Sequence, residues 1–259
     1  MVKVVAEAGV NHNGNLDTAM RLVVAAKEAG CDAVKFQTFW HFDHLKELEL
    51  SPDEFEYLFM FAESVGIEWM STPFSIEAID FLENCGMKTW KIPSGLVSDS
   101  LYLDNIRLSS KGSPIILSTG MAKLNEVRGA LFRLNTNNDI TVLQCTTAYP
   151  CPYEEVNLRA MVRMRQILKR PVGLSDHTQG IEVSIAAIAL GAQVIEKHIT
   201  LDRGMDGPDH TASIEPKELS RLVSSVRNIE VALGSAEKKP TPTELGHRDE
   251  IRHTQAIQA

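Results

Sequence analysis

The sequence predicts an α/β protein, a single-domain (β/α)8 TIM barrel, on three observations. Eight short apolar, β-branched runs alternate with longer helical patterns, and their starts recur about every 27 residues, the spacing of one βα unit. The 259 residues suit such a barrel, which commonly closes within about 250. The first turn, Asn11-His12-Asn13-Gly14, carries neither the G-x-G-x-x-G fingerprint of an open dinucleotide-binding sheet nor a Walker loop. An open sheet also rarely uses eight alternating units, so the barrel is preferred. The barrel domain is expected over residues 1–234, with 235–259 a C-terminal tail.

The first strand is read at residues 3–8, and a helix capped by Asn15 or Asp17 follows it to Gly30. The second strand covers 33–38. Ser51-Pro52-Asp53-Glu54 then opens a helix with proline in its first turn, and Phe55, Leu58, Phe59 and Ala62 follow the i, i+3, i+4, i+7 spacing of a buried face. The third strand, 67–71, leads into a helix at 75–85, and the fourth, 89–93, into one at 100–110. Strands at 114–118, 141–146, 171–175 and 193–198 precede helices at 123–134, 154–168, 180–190 and 216–233. Gly86, Gly112, Gly191 and Gly234 follow four of these helices, where a left-handed C-cap costs glycine least.

Composition narrows the function classes. The chain carries 26 Lys and Arg against 34 Asp and Glu, a net charge of −8, with no basic run, which argues against nucleic acid or anionic lipid as a partner. The longest apolar stretch, 183–192, is interrupted by Ser184 and is about half the ~20 residues that span a bilayer. Met1-Val2-Lys3 runs directly into a strand, so no signal peptide and a cytoplasmic location are expected. Cys31, Cys85, Cys145 and Cys151 fall in no zinc or redox spacing and read as free, buried thiols.

In this barrel the active site lies at the C-terminal strand ends. Here the strands run apolar early and polar late. The first ends in Glu7, the second carries Lys35 and Gln37, the third runs into Thr72, and the fourth brings Lys91 and Ser94. The fifth brings Ser118 and Thr119 and the sixth Thr146, Thr147 and Tyr149. The last two end in Ser175-Asp176-His177 and Glu196-Lys197-His198. Side chains two apart share a face, which pairs Lys35 with Gln37, Ser175 with His177 and Glu196 with His198. Charges at one end of so many strands need partners or a ligand, since an unpaired buried charge is costly.

The residue types then suggest chemistry. His177 and His198 end adjacent strands and can converge on one divalent ion; with oxygen donors they suit manganese, iron or zinc more than calcium. Lys35 and Lys91, with the hydroxyls of Thr72, Ser94, Ser118, Thr147 and Ser175, suit a multiply charged anion, above all a phosphate ester with a carboxylate. Taken singly, each hydroxyl reads as a helix N-cap and each histidine as core or loop packing. Glu7 and Glu196 are either general acid/base groups or salt-bridge partners. Asp206-Gly207-Pro208-Asp209-His210 is a turn that offers Asp209 and His210 to the barrel mouth.

These segments resemble the sialic acid synthase family, in order and over essentially the whole chain. The likeness runs through Ala6-Glu7-Ala8-Gly9-Val10-Asn11-His12-Asn13-Gly14, Val34-Lys35-Phe36-Gln37-Thr38 and Ser71-Thr72-Pro73-Phe74. It continues through Ile116-Leu117-Ser118-Thr119-Gly120-Met121, Cys145-Thr146-Thr147-Ala148-Tyr149-Pro150 and Gly173-Leu174-Ser175-Asp176-His177-Thr178. Ile195-Glu196-Lys197-His198 and Gly207-Pro208-Asp209-His210 complete it, and Asn157-Leu158-Arg159-Ala160-Met161 is similar to the legionaminic acid branch. The resemblance implies condensation of phosphoenolpyruvate with an open-chain N-acetylated hexosamine (N-acetylmannosamine or a di-N-acetylated bacterial relative) to a nine-carbon 2-keto sugar acid and phosphate. It implies that Lys35, Thr72, Lys91, Ser94, Ser118, Thr147 and Ser175 hold phosphoenolpyruvate and that Gln37, Tyr149 and Asp209 contact the sugar. By the same resemblance His177 and His198 hold manganese or magnesium, and Glu7, Lys35, Glu196 and His198 serve catalysis. A homodimer stays open.

Three features depart from the family pattern. Leu96 stands where the family has an acidic sugar contact, the loop from Thr38 to Leu50 is short, and Ala259 falls where a C-terminal antifreeze-like domain is expected to begin. The rival readings are a synthase of 3-deoxy-keto acid phosphates, a Schiff-base aldolase using Lys35 or Lys91, and a non-catalytic sugar-binding barrel. The first lacks a spare Arg/Lys cluster for a second phosphate, and the histidine pair argues against the second.

Overall fold

Alternation along the strands decides what fills the centre of the molecule. A computed structural model of the chain describes residues 1–134 and 138–256. Its eight strands are β1 (Lys3–Gly9), β2 (Ala33–Thr38), β3 (Glu68–Pro73), β4 (Trp90–Ile92), β5 (Ile115–Ser118), β6 (Ile140–Cys145), β7 (Val172–Asp176) and β8 (Val194–His198). All pair in parallel in the order β3-β2-β1-β8-β7-β6-β5-β4, a nearly closed barrel. Side chains bridge the seam between β3 and β4, where Thr89 Oγ1 donates to Glu68 Oε1 at 2.6 Å and Lys3 Nζ adds bonds of 2.8 and 2.9 Å to the same carboxylate.

Val5, Ala33, Met70, Ile116, Leu143 and Val194 form a separate apolar plug. Two residues further along the same strands come Glu7, Lys35, Thr72, Ser118, Cys145 and Glu196, all lining one cavity. One period-two step thus turns a dry layer into a reactive one. β7 supplies no side chain to the plug, because a Cβ on Gly173 would lie 2.3 Å from the Val194 carbonyl and 2.7 Å from Leu143.

The opposite strand faces pack against α1 (Leu16–Glu28), α2 (Pro52–Ser64), α3 (Ile76–Asn84), α4 (Ser100–Ser110), α5 (Leu124–Arg133), α6 (Leu158–Leu168), α7 (Glu182–Ala189) and α8 (Pro216–Leu233). The caps are those the sequence suggests: Asn15 accepts from the Thr18 amide, and Ser51 with Glu54 forms a reciprocal capping box. One helix reading needs correction. The helix expected at 154–168 begins as a single 3-10 turn at Tyr153–Glu155, and left-handed Asn157 (φ 50°) separates that turn from α6. Within 235–259, read only as a tail, Pro242–Ala256 forms a further helix, α9, whose low apolar content left no periodic signal. Cys31, Cys145 and Cys151 are buried free thiols, whereas Cys85 is half-buried.

Candidate active site

Lys35 sits at the centre of a buried charge network. Its Nζ lies 2.6 Å from Glu7 Oε2 and 3.7 Å from Glu196 Oε2, and it donates to Thr72 Oγ1 at 2.9 Å. Lys91 approaches the other oxygen of Glu196 at 3.4 Å, and Ser175 Oγ donates to that same oxygen at 2.9 Å. Burial drives these charges towards neutrality, and the ion pairs oppose it. For Glu7 burial wins, and its carboxyl is raised to about 7 despite Lys35. For Glu196 burial is outweighed by Lys35 and Lys91, which hold it well below the usual carboxylate range. Burial thus favours the neutral form of Glu7, while the two lysines favour the ionised form of Glu196. Lys35 is raised, because Glu196 and Glu7 overcome its desolvation; Lys91 is lowered by burial.

The imidazoles stand one step nearer the mouth. His177 and His198 have ring centroids 5.3 Å apart, with Tyr149 4.1 Å from the first and 5.6 Å from the second. His177 Nδ1 donates to the Thr146 carbonyl at 2.7 Å, which fixes the tautomer and leaves Nε2 unprotonated, 3.4 Å from Ser175 Oγ. Burial lowers both histidines, His198 strongly, so both are neutral ligand-type imidazoles. His198 Nδ1 faces Asp209 Oδ2 at 3.6 Å, and burial raises the Asp209 carboxyl to about 6. Among the described residues no group of three or more His, Cys, Asp or Glu is placed to hold a metal ion. The lysines occupy Glu7 and Glu196, so the donor set fits an ion held by two imidazoles with substrate and water oxygens.

Of the residues singled out in the sequence, Glu7, Lys35, Gln37, Thr72, Lys91, Ser94, Ser118, Thr147, Tyr149, Ser175, His177, Glu196 and His198 share one cavity of about 250 Å³. Buried Ser118 Oγ has no hydrogen-bond partner there. Gln37 Nε2 donates to Glu7 Oε1 at 3.3 Å. Asp209 is not part of that lining and reaches the site through His198. His210 turns away from it and is fully buried. Leu96 packs against the outer core, and Asp99 caps α4 by accepting from the Tyr102 amide. Neither offers the cavity a polar group. The lining also includes Phe74, Pro93, Gly95, Met121 and Cys145, which the sequence reading passed over. The period-two steps from Leu143, Thr72 and Lys91 could have found Cys145, Phe74 and Pro93; nothing local marks Gly95 and Met121.

Fold and cavity together define a (β/α)8 barrel with a layer of lysines and hydroxyls beside a pair of buried imidazoles at its C-terminal strand ends. The chain belongs to the NeuB family, whose description matches residues 40–238, and it is a phosphoenolpyruvate-dependent transferase of that family. It is 44% identical to an N,N'-diacetyllegionaminic acid synthase of Legionella pneumophila, over 97% of this chain and 78% of the relative. It is 36% identical to the N-acetylneuraminate-9-phosphate synthase of Homo sapiens, over 96% of this chain and 76% of that one. The crystal structure of a Leptospira borgpetersenii N-acetylneuraminic acid synthetase in complex with citrate superposes with a TM-score of 0.88 at 32% identity, covering 99% of this chain and 92% of that one. A truncated 3-deoxy-D-arabino-heptulosonate 7-phosphate synthase of Thermotoga maritima superposes with a TM-score of 0.74 at 15% identity, covering 90% and 88%, a likeness of fold alone.

Proposed function

We propose that this chain condenses phosphoenolpyruvate with an open-chain di-N-acetylated deoxyhexose, giving a nine-carbon 2-keto sugar acid of the legionaminic type and phosphate. The observation that carries the reaction is the single cavity joining Lys35, Lys91 and the buried hydroxyls to the His177–His198 pair. Lys35 and Lys91 face Glu196, which they hold ionised, and Glu7, whose ionisation burial opposes, so the layer can take up an anionic ester. In this reading Lys35, Lys91, Thr72, Ser94, Ser118, Thr147 and Ser175 hold the phosphate and carboxylate. Gln37, Tyr149 and Asp209 orient the sugar.

The enol C3 attacks the aldehyde carbon, water adds at C2, and phosphate departs with its bridging oxygen. Glu7 is the group that takes the proton released by the added water or returns one to the former aldehyde oxygen. Glu196 keeps Lys35 and Lys91 apart and aimed. His177 and His198 would hold manganese or magnesium, and such an ion supplies Lewis-acid polarisation of the aldehyde. Dependence on phosphoenolpyruvate, a metabolite of the cell interior, supports a cytosolic site of action.

The sugar assignment rests on the 44% and 43% identity to N,N'-diacetyllegionaminic acid synthases and on Leu96, which lends the cavity no acceptor. Competition between N-acetylmannosamine and a di-N-acetylated deoxyhexose tests it. The expected kcat/KM ratio favours the second sugar by about tenfold or more, a difference of about 1.4 kcal/mol. Equal use of both, or preference for N-acetylmannosamine, would remove the assignment.

A further inference from the structure

We propose that His210 is a positioning residue that fixes the Asp209 carboxylate over the barrel mouth; this rests on the reading that Asp209 contacts the sugar. Between β8 and α8 the chain runs through turns and bends to a single 3-10 turn at His210–Ala212, which Asp209 precedes, and the side chain of His210 links this segment to the other loops. His210 ties it down from within. Its Nδ1 lies 2.7 Å from Thr200 Oγ1, just beyond β8, and its Nε2 lies 3.3 Å from Asn13 Oδ1 in the loop after β1.

The orientation of Asn13 decides the direction of these bonds. Its Nδ2 donates to the Asp206 carbonyl at 2.8 Å, which turns Oδ1, an acceptor, towards the imidazole. Nε2 is therefore the donor, which leaves Nδ1 as the acceptor towards the Thr200 hydroxyl, whose one proton it shares with the Asp202 carbonyl 3.0 Å away. One neutral tautomer thus joins the ends of two strands. The loop also closes directly on the ring. A Cβ on Gly207 would lie 2.6 Å from His210 Cδ2 and 2.9 Å from Nε2, so only glycine permits the approach. On the other side Ser213 Oγ donates to the Asp209 carbonyl at 2.6 Å, and Asn11 Nδ2 holds Ser213 Oγ at 2.8 Å. Asp209 is left with its carboxylate 3.6 Å from His198. His210 itself does not line the cavity.

The test compares His210→Ala, His210→Gln, Asn13→Ala and Asp209→Asn in the whole chain, with steady-state KM measured separately for phosphoenolpyruvate and for the better of the two sugars. His210→Ala is expected to raise the sugar KM about tenfold and to change the phosphoenolpyruvate KM by less than about twofold. His210→Gln, whose amide can still reach Asn13, should recover part of the loss. Asn13→Ala, which keeps the imidazole, should reproduce it in a folded protein. In the Asp209→Asn background His210→Ala should add little, because both act on one contact. Equal rises in both KM values, or an unchanged sugar KM in His210→Ala and Asn13→Ala while Asp209→Asn raises it, would overturn the proposal and leave Asp209 as a sugar contact. An unchanged sugar KM in Asp209→Asn would overturn both.

Discussion

Lys35 is held by Glu7, Glu196 and Thr72 at once, so its ammonium is aimed before any ligand arrives. Replacing it with alanine removes a charge-assisted contact in a desolvated site, a loss of about 2–4 kcal/mol in transition-state binding. The expected signature is that phosphoenolpyruvate no longer raises the Tm of Lys35→Ala; protection equal to that of the native chain would show that Lys35 is not a ligand. His12 makes a different prediction. It is fully buried, its Nδ1 accepts from the Gly14 amide at 3.1 Å, and burial lowers it to about 4. The unfolded chain, titrating near the ordinary value of 6.5, binds a proton between those limits that the fold does not. Stability contributed by neutral His12 is therefore present above pH 6.5 and lost as pH falls towards 4, up to about 3 kcal/mol. His12→Asn should flatten that part of the stability–pH curve measured by urea unfolding, and an unaltered slope would refute the assignment.

At the scale of strands and helices, the period-two reading of β1, β2, β7 and β8 gave the right faces, since Lys35 with Gln37, Ser175 with His177, and Glu196 with His198 do line one cavity. The same strands show where that reading stops. Asp176 and Lys197, at the polar ends of β7 and β8, face outward. They form a buried pair at 3.1 Å, and Ser184 of α7 and Thr178 bond Asp176 as well. Their polarity marks a structural tie, and a strand-end pattern does not tell such a pair from a site. Lys197→Met should cost about 3–5 kcal/mol by leaving Asp176 buried and unpaired. Gly173 belongs to this scale too, because its missing side chain lets β7 approach β8. Gly173→Ala is expected to cost about 1–3 kcal/mol in chemical denaturation, and a neutral outcome would mean that the strands yield easily.

For the molecule as a whole, the fold class and most of the lining of the candidate cavity were legible because local rules decide them: strand alternation, helix caps, and polar residues gathered at one end. What escaped depends on contacts between distant segments. Leu96 joins the outer core, His210 faces inward because Asn13 and Thr200 meet it from other loops, and Met121 enters the cavity through loop geometry. None of these has a periodic signature. The central claim is that the lysine-and-hydroxyl layer and the histidine pair perform one condensation. It is tested most directly by incubating the purified chain with phosphoenolpyruvate, manganese and a di-N-acetylated deoxyhexose, and measuring phosphate and 2-keto sugar acid together. The account predicts one of each per phosphoenolpyruvate consumed, with turnover lost on chelation and in His198→Ala. Phosphoenolpyruvate that binds yet releases no phosphate with either sugar, or undiminished turnover in His198→Ala, would contradict it.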